Sequence, residues 1–143
     1  MDVNIYIDTT IKAPNRGHGG AMYIIEAIVK GEPKTIDGFI DLPDTTEDAI
    51  TLTAMIEAYQ RFTKPAKIKV FTKCNGVYYG ITTGRITTAI AEGYKTAKGK
   101  PIKNAELWDI YVKLAVKHQN SITQEDHSYM EYMKQGLKKW HNQ

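Results

Sequence analysis

Three successive strand-like segments open this 143-residue chain before any helix can begin. Residues 3–7, 21–29 and 34–42 are rich in β-branched and aromatic side chains, which favours strands. A turn-rich loop is predicted over residues 13–20, and a second turn at residues 30–33 joins the later two segments. The sequence therefore predicts three meandering strands at the start of the domain.

Helical and strand-like segments alternate through the rest of the chain. Thr45 or Thr46 can cap a first helix, because a threonine oxygen accepts a hydrogen bond from the first turn, and Asn104 can cap a later helix. The predicted segments are, in order, a helix over 43–62, a strand over 67–72, a helical region over 77–90 broken near Gly84, a helix over 104–117, a strand over 120–125 and a helix over 127–139.

Composition narrows the class of protein. Hydrophobic residues make up 42% and charged residues 24%, as in ordinary globular domains, and no stretch approaches the ~20 apolar residues of a membrane span. The first residues lack the features of a signal peptide, so we expect a cytoplasmic protein without a membrane partner. The single cysteine, Cys74, gives no internal disulfide, and its spacing predicts no zinc site. A net charge of +3 permits nucleic acid binding without arguing for it.

A lysine-rich stretch precedes the helix predicted to begin at residue 104. Lys95, Lys98, Lys100 and Lys103, which we call the basic arm, surround a Gly-Lys-Pro turn. Charge runs of this kind are most often solvated loops, and a phosphate-binding arm is the functional alternative. The pattern alone leaves both interpretations open.

The residues of this stretch resemble a known family. Gly-Tyr-Lys-Thr-Ala-Lys-Gly-Lys-Pro-Ile-Lys-Asn-Ala-Glu-Leu-Trp, at residues 93–108, closely resembles the substrate-binding protrusion of type 1 ribonuclease H and the helix after it. The glycine-rich turn after the first strand, the Thr-Thr pair at 45–46 and Tyr-Tyr-Gly-Ile-Thr at 78–82 extend the resemblance to nearly the whole chain. It implies one ribonuclease H-like α/β domain over residues 1–143. Its five-stranded mixed sheet, in the order βββαβααβα, would carry helices on both faces.

The resemblance also implies a nucleic-acid-binding face. In the family the protrusion lies against the phosphates of an RNA–DNA hybrid, a role that falls here to the basic arm. Tyr94 stands where the family usually has tryptophan, and Asn75 resembles a glutamine that contacts the minor groove. Glu47 and Asp48 replace two minor-groove asparagines, so their negative charge opposes the approach of phosphates.

The catalytic positions of the family are only partly retained. Ribonuclease H holds two Mg²⁺ ions with four carboxylates, and by local motif those positions fall here on Asp8, Thr51, Lys73 and Lys134. His127 falls near the family's mobile histidine. A like-charge contact at ~4 Å costs roughly 4 kcal/mol at an effective dielectric of about 20, so two ammonium groups oppose metal binding. The resemblance therefore implies a catalytically degenerate site with no metal and no cofactor.

Two alternatives remain for the lysines and three for the function. Lys73 and Lys134 either pair with Asp8 in place of the metals or point to solvent. The first functional hypothesis is a non-cleaving binder of an RNA–DNA hybrid or another duplex. The second is a protein-interaction module. The third is an Mg²⁺-dependent hybrid endonuclease, whose ligands would be rearranged to Asp8, Asp48, Glu131 and His127, or would include Glu47.

Overall fold

Five strands form one mixed sheet in a computed structural model that describes residues 1–96 and 98–141. The spatial order is β3-β2-β1-β4-β5. β2 pairs antiparallel with β1 and β3, whereas β4 pairs in parallel with β1 and β5. The strands are β1 (Asp2–Thr9), β2 (Arg16–Val29), β3 (Glu32–Thr46), β4 (Lys67–Phe71) and β5 (Gln119–Thr123).

Helices cover both faces of this sheet. The helices are α1 (Glu47–Tyr59), α2 (Asn75–Thr82), α3 (Arg85–Ala91), α4 (Ala105–Ala115) and α5 (Met130–His141). Successive β1 side chains face opposite ways, so Ile5 and Ile7 join the core under α1 and α4, whereas Tyr6 packs with Met133 and Leu137 of α5. Among the described residues, none of these helices is long and apolar enough to cross a membrane.

The predicted fold class is confirmed, with one helix more than the predicted order. The helical region after β4 is two helices, because Gly84 adopts a left-handed conformation with φ of 77° between α2 and α3. A left-handed residue ends a right-handed helix, and glycine adopts that conformation without steric cost. The observed order is therefore βββαβαααβα.

The glycine-rich segment near residue 17 forms a strand, where the sequence predicted a loop over 13–20. Residues 16–20 pair with the end of β3, so both β2 and β3 are longer than predicted. A Cβ atom at Gly20 would lie 2.7 Å from the Trp140 ring, and one at Gly19 would lie 2.9 Å from Ile11. These glycines therefore permit close packing of neighbouring side chains rather than a turn.

The predicted cap of α1 at Thr46 is confirmed, but the helix is shorter at both ends than the predicted 43–62, because residues 43–46 belong to β3. The Thr46 side chain accepts a hydrogen bond from the Ala49 N–H at 3.3 Å, so Thr46 is the cap. The helix ends at Tyr59 rather than residue 62, because the N–H of Phe62 bonds to the carbonyl three residues back, at 3.2 Å, instead of four. The last turn is thus tightened, as is common at helix ends.

The predicted cap at Asn104 is wrong. This residue precedes α4 in a left-handed conformation with φ of 60°, and its side chain makes no capping hydrogen bond. The start of α5 was also predicted too early, at residue 127. The His127 ring instead accepts a hydrogen bond from the Tyr129 N–H at 3.2 Å, so a turn precedes the helix.

Packing of α5 on the sheet gives a stability prediction. Met133→Ala should lower the free energy of unfolding by about 2–5 kcal/mol, because this side chain is 0% exposed and truncation leaves a cavity. Met130→Ala is the matched control, since Met130 lies on the same helix but is 37% exposed. Urea denaturation measures both, and equal losses would contradict this packing.

Candidate functional site

The ends of β1 and β4 place two predicted site residues at the same sheet edge. Tyr6 in β1 pairs with Phe71 in β4 in parallel register. Asp8 and Lys73 each lie two residues further along, so they reach the carboxyl end of the sheet together. Both side chains line two neighbouring cavities at this edge.

These cavities gather the other predicted positions around Asp8. Thr51, from α1, lines the first cavity. His127 and Lys134, from the turn before α5 and from α5 itself, line the second. The four positions assigned by resemblance to the metal-binding acids therefore surround one strand end.

Neither lysine pairs with Asp8. Within the described part of the chain, the partner of Asp8 is Lys12, whose Nζ lies 3.4 Å from Asp8 Oδ1. Lys73 instead places its Nζ 2.7 Å from Asp126 Oδ1 and also donates to the Gln124 carbonyl. The hypothesis that Lys73 and Lys134 replace the metals by pairing with Asp8 is wrong in this structure.

The path of the chain after β5 explains the partner of Lys73. The Thr72 N–H bonds to the Thr123 carbonyl at 3.0 Å, so the segment that leaves β5 passes beside the end of β4. Gln124 also donates to Asn75 Oδ1 at 2.9 Å. Asn75, predicted as a minor-groove contact, thus helps Lys73 to hold the segment between β5 and α5.

A network of tyrosines fixes the approach to α5. Tyr129 and Tyr6 donate to the two oxygens of Glu26, at 2.5 Å and 2.8 Å. Burial raises the pKa of the Glu26 carboxyl, but these donors outweigh it and the net pKa is lowered. The Tyr6 ring also packs on His127, with centroids 4.4 Å apart. Burial and then the Lys73 charge lower the pKa of His127, which favours a neutral imidazole.

The four assigned positions do not fit a pair of Mg²⁺ ions. They offer one carboxylate, one fully buried hydroxyl and two ammonium groups. Mg²⁺ requires oxygen ligands, and ammonium groups repel it. The alternative ligand set does not assemble either, because the cluster of potential metal donors among the described residues contains Asp48 and Glu47 but not Asp8, Glu131 or His127.

Sequence reasoning missed one cluster beside these positions. Among the described residues, Glu47, Asp48 and Cys74 bring donor atoms within 4.8 Å of one another. Asp48 accepts a hydrogen bond from Cys74 Sγ at 3.2 Å. Glu47 is buried and accepts one from the Ala13 N–H at 3.1 Å. Helical spacing places both acids on the Thr51 face of α1, but no sequence pattern places Cys74 beside them.

The basic arm is a short hairpin. Lys95 and Pro101 form an antiparallel bridge, and the Ile102 N–H bonds to the Tyr94 carbonyl at 2.9 Å. Tyr94 is half-buried and packs against the core, so it anchors the base of the hairpin rather than standing free. Gly99, with φ of 78°, allows the tight turn.

All four arm lysines are exposed. In residues 1–96 and 98–141, none of the ion pairs involves an arm lysine. Their charges are therefore available to a polyanion.

A mixed sheet in this order, with a basic hairpin before α4 and site positions at the ends of β1 and β4, defines an RNase H-type fold. The sequence profile of the RNase H family matches residues 1–125, and the chain belongs to that family. The resemblance inferred from residues 93–108 is thereby confirmed.

Individual relatives and solved structures support the same family and fold. A ribonuclease H of Cupriavidus necator is 36% identical over 122 residues, which cover 85% of this chain and 79% of the relative. One of Granulibacter bethesdensis is 32% identical over 117 residues, covering 82% and 74%. LC9-RNase H1, described as a type 1 RNase H with the type 2 active-site motif, superposes with a TM-score of 0.75 at 20% identity, covering 96% of this chain and 71% of that one. A foamy viral protease-reverse transcriptase in complex with an RNA/DNA hybrid gives a TM-score of 0.65 at 17% identity, covering 95% and 18%.

The Lys73–Asp126 pair predicts a pH effect. The hydrogen bond and charge of Lys73 lower the pKa of Asp126. A carboxyl whose pKa is lowered by folding stabilises the protein above its unfolded-state pKa, and that contribution is lost as pH falls through the folded-state pKa. Lys73→Met should therefore return the pKa of Asp126 towards its ordinary value. The melting temperature of this variant should also fall less steeply as the pH is lowered into the acid range.

Carboxyl NMR titration measures the pKa directly. Lys12→Met is the matched control, because Lys12 pairs with Asp8 and should leave Asp126 unchanged. An Asp126 pKa that does not respond to Lys73→Met would contradict the pairing.

Proposed function

We propose that this RNase H-family protein binds an RNA–DNA hybrid or another nucleic acid duplex through the basic arm without cleaving it. The main observation behind this proposal is that Lys73 and Lys134 share a cavity with Asp8, the one acid retained at the four positions assigned to metal binding. Two-metal hydrolysis needs carboxylates around both ions. The protein accordingly needs no Mg²⁺ cofactor, and its contribution is binding alone.

The exposed arm supports retained binding. Lysines that neutralise phosphates release condensed counterions, which makes such binding strong at low salt and weak at high salt. The relatives are named as ribonucleases H, and a foamy viral neighbour was solved with an RNA/DNA hybrid. The opposing charge expected at residues 47 and 48 is partly offset by Lys12, whose Nζ lies 4.0 Å from Glu47 Oε2.

Loss of hydrolysis is the first prediction of this proposal. The purified protein should not cut a labelled RNA–DNA hybrid in Mg²⁺ or Mn²⁺, as judged by product bands on a denaturing gel. The physical reason is the donor set at Asp8, Thr51, Lys73 and Lys134. Cleavage that disappears in Asp8→Asn would contradict the proposal, because a contaminating nuclease is indifferent to that substitution.

A variant that restores the acids extends this test. Combining Thr51→Glu, Lys73→Asp and Lys134→Asp should lower the melting temperature without metal, through repulsion among carboxylates. Added Mg²⁺ or Mn²⁺ should then raise it, because a ligand of the native state stabilises that state. The parent protein is the control and should show no such rise at the same concentrations. A folded variant insensitive to metal would show that these positions do not form one site.

The arm gives a separate prediction about binding. Replacing Lys95, Lys98, Lys100 and Lys103 by alanine should weaken duplex binding, and the slope of log affinity against log salt should flatten by about one per lost phosphate contact. Fluorescence anisotropy over a salt series measures both quantities. Alanine at Lys30, Lys34, Lys64 and Lys117 removes the same charge from exposed positions off the arm and is the matched control. Equal effects of the two sets would mean that the arm is only a solvated loop.

A further inference from the structure

Three side chains that could bind a metal ion lie beside the cavity that contains Asp8. None of them occupies one of the four positions assigned by resemblance to the metal-binding acids. Glu47 and Asp48 begin α1, and Cys74 directly precedes α2. One donor atom from each lies within 4.8 Å of the other two. Glu47 and Cys74 are buried, and Asp48 is partly exposed, which leaves the cluster open to solvent on one side.

Thr51 provides an independent sign that a ligand binds beside this cluster. Its side chain is 0% exposed, and within the described residues its hydroxyl is the buried side-chain polar atom without a hydrogen-bond partner. A buried hydroxyl without a partner is unfavourable, because it has lost its hydrogen bonds to water. Thr51 lines the same small cavity as Glu47 and Cys74, one turn along the same face of α1. A metal ion in this cavity would be a partner for the hydroxyl oxygen of Thr51.

The backbone makes room for one of the donors. A Cβ atom at Gly76, in the first turn of α2, would lie 2.2 Å from a carboxylate oxygen of Asp48. Glycine at this position therefore allows the Asp48 carboxylate to sit against α2 and beside Cys74. A single methyl group there would displace the carboxylate without removing any donor.

We propose that Glu47, Asp48 and Cys74 bind one Zn²⁺-class ion, with the Thr51 hydroxyl facing it. Cysteine sulfur with carboxylate oxygens is a donor set that Zn²⁺ accepts, whereas the hard ion Mg²⁺ does not favour thiolate. On binding, the Cys74 thiol proton passes to solvent and the sulfur–metal bond replaces the hydrogen bond to Asp48. This site is independent of duplex binding by the arm.

Two lysines near the cluster should weaken the binding of a cation. Lys12 Nζ lies 4.0 Å from Glu47 Oε2 and Lys73 lines the cavity, so both cations oppose an incoming ion. Lys73 is directed to Asp126, which leaves Lys12 as the nearer competitor. Removing the Lys12 charge should therefore tighten metal binding. A purely structural cluster that binds no ion would show no such gain.

Cobalt is the probe, because Co²⁺ substitutes for Zn²⁺ and its bond to thiolate absorbs in the near ultraviolet. Cys74 is the chain's one cysteine, so any such band reports this residue alone. Titration of the full chain with Co²⁺ should produce the band at one equivalent, Zn²⁺ should abolish it, and millimolar Mg²⁺ should not. Zn²⁺ alone should raise the melting temperature.

Variants separate a built site from adventitious binding. Cys74→Ser should abolish the band, and Asp48→Asn or Glu47→Gln should weaken binding by at least roughly 10- to 100-fold, the loss seen even for groups that only support metal ligands. Gly76→Ala should weaken it while leaving every donor in place, and Lys12→Met should strengthen it. Glu131→Gln, an acid of the neighbouring cavity, should change nothing.

Two results would contradict the proposed metal site. They are the absence of a thiolate band from the folded protein, or a band equally strong in Asp48→Asn and Glu47→Gln. Circular dichroism verifies that each variant is folded, and the conservative Asp48→Asn keeps the test valid if Cys74→Ser does not fold. Duplex binding by the same samples is measured separately, so failure of one proposal is distinguishable from failure of the other.

Discussion

The parallel pairing of β1 with β4 is the constraint on which the site depends. It sets Asp8 and Lys73 at the same edge of the sheet, and the helices packed on the two faces bring Thr51 and Lys134 to that edge. Helix α1 brings Thr51 from one side and α5 brings Lys134 from the other. A parallel pair needs a long connection, and here β2, β3 and α1 together connect β1 to β4. The same backbone arrangement would serve four acids or the present mixed set.

Anchoring of α5 combines apolar burial with polar contacts at the start of the helix. Met133 and Leu137 bury the apolar side of the helix, but Tyr129 and Glu26 determine where it begins. Burial disfavours the Glu26 charge, and donors from two elements compensate for it. The tyrosine network therefore positions the Lys134 side of the cavity without contacting Lys134 itself.

Local sequence patterns predicted the fold well, because strand alternation and helix periodicity are properties of neighbouring residues. The Thr46 cap is an example, since donor and acceptor lie three residues apart. Gly20 was misjudged, because the reason for glycine there is the Trp140 ring from the far end of the chain. The partner of Lys73 was missed for the same reason, as Asp126 lies 53 residues away. The cluster at Cys74 escaped notice because its acids precede it by 26 residues or more.

The pair formed by Lys73 and Asp126 restricts the order in which substitutions at this site can accumulate. If Lys73 alone were replaced by aspartate, two carboxylates would face each other at a position where an ion pair now holds the segment before α5. That intermediate would suffer repulsion without any metal to relieve it, because Thr51 and Lys134 would still lack acids. A neutral residue at 126 would remove that repulsion. The effect of a substitution at residue 73 or residue 126 therefore depends on which of the two changes first.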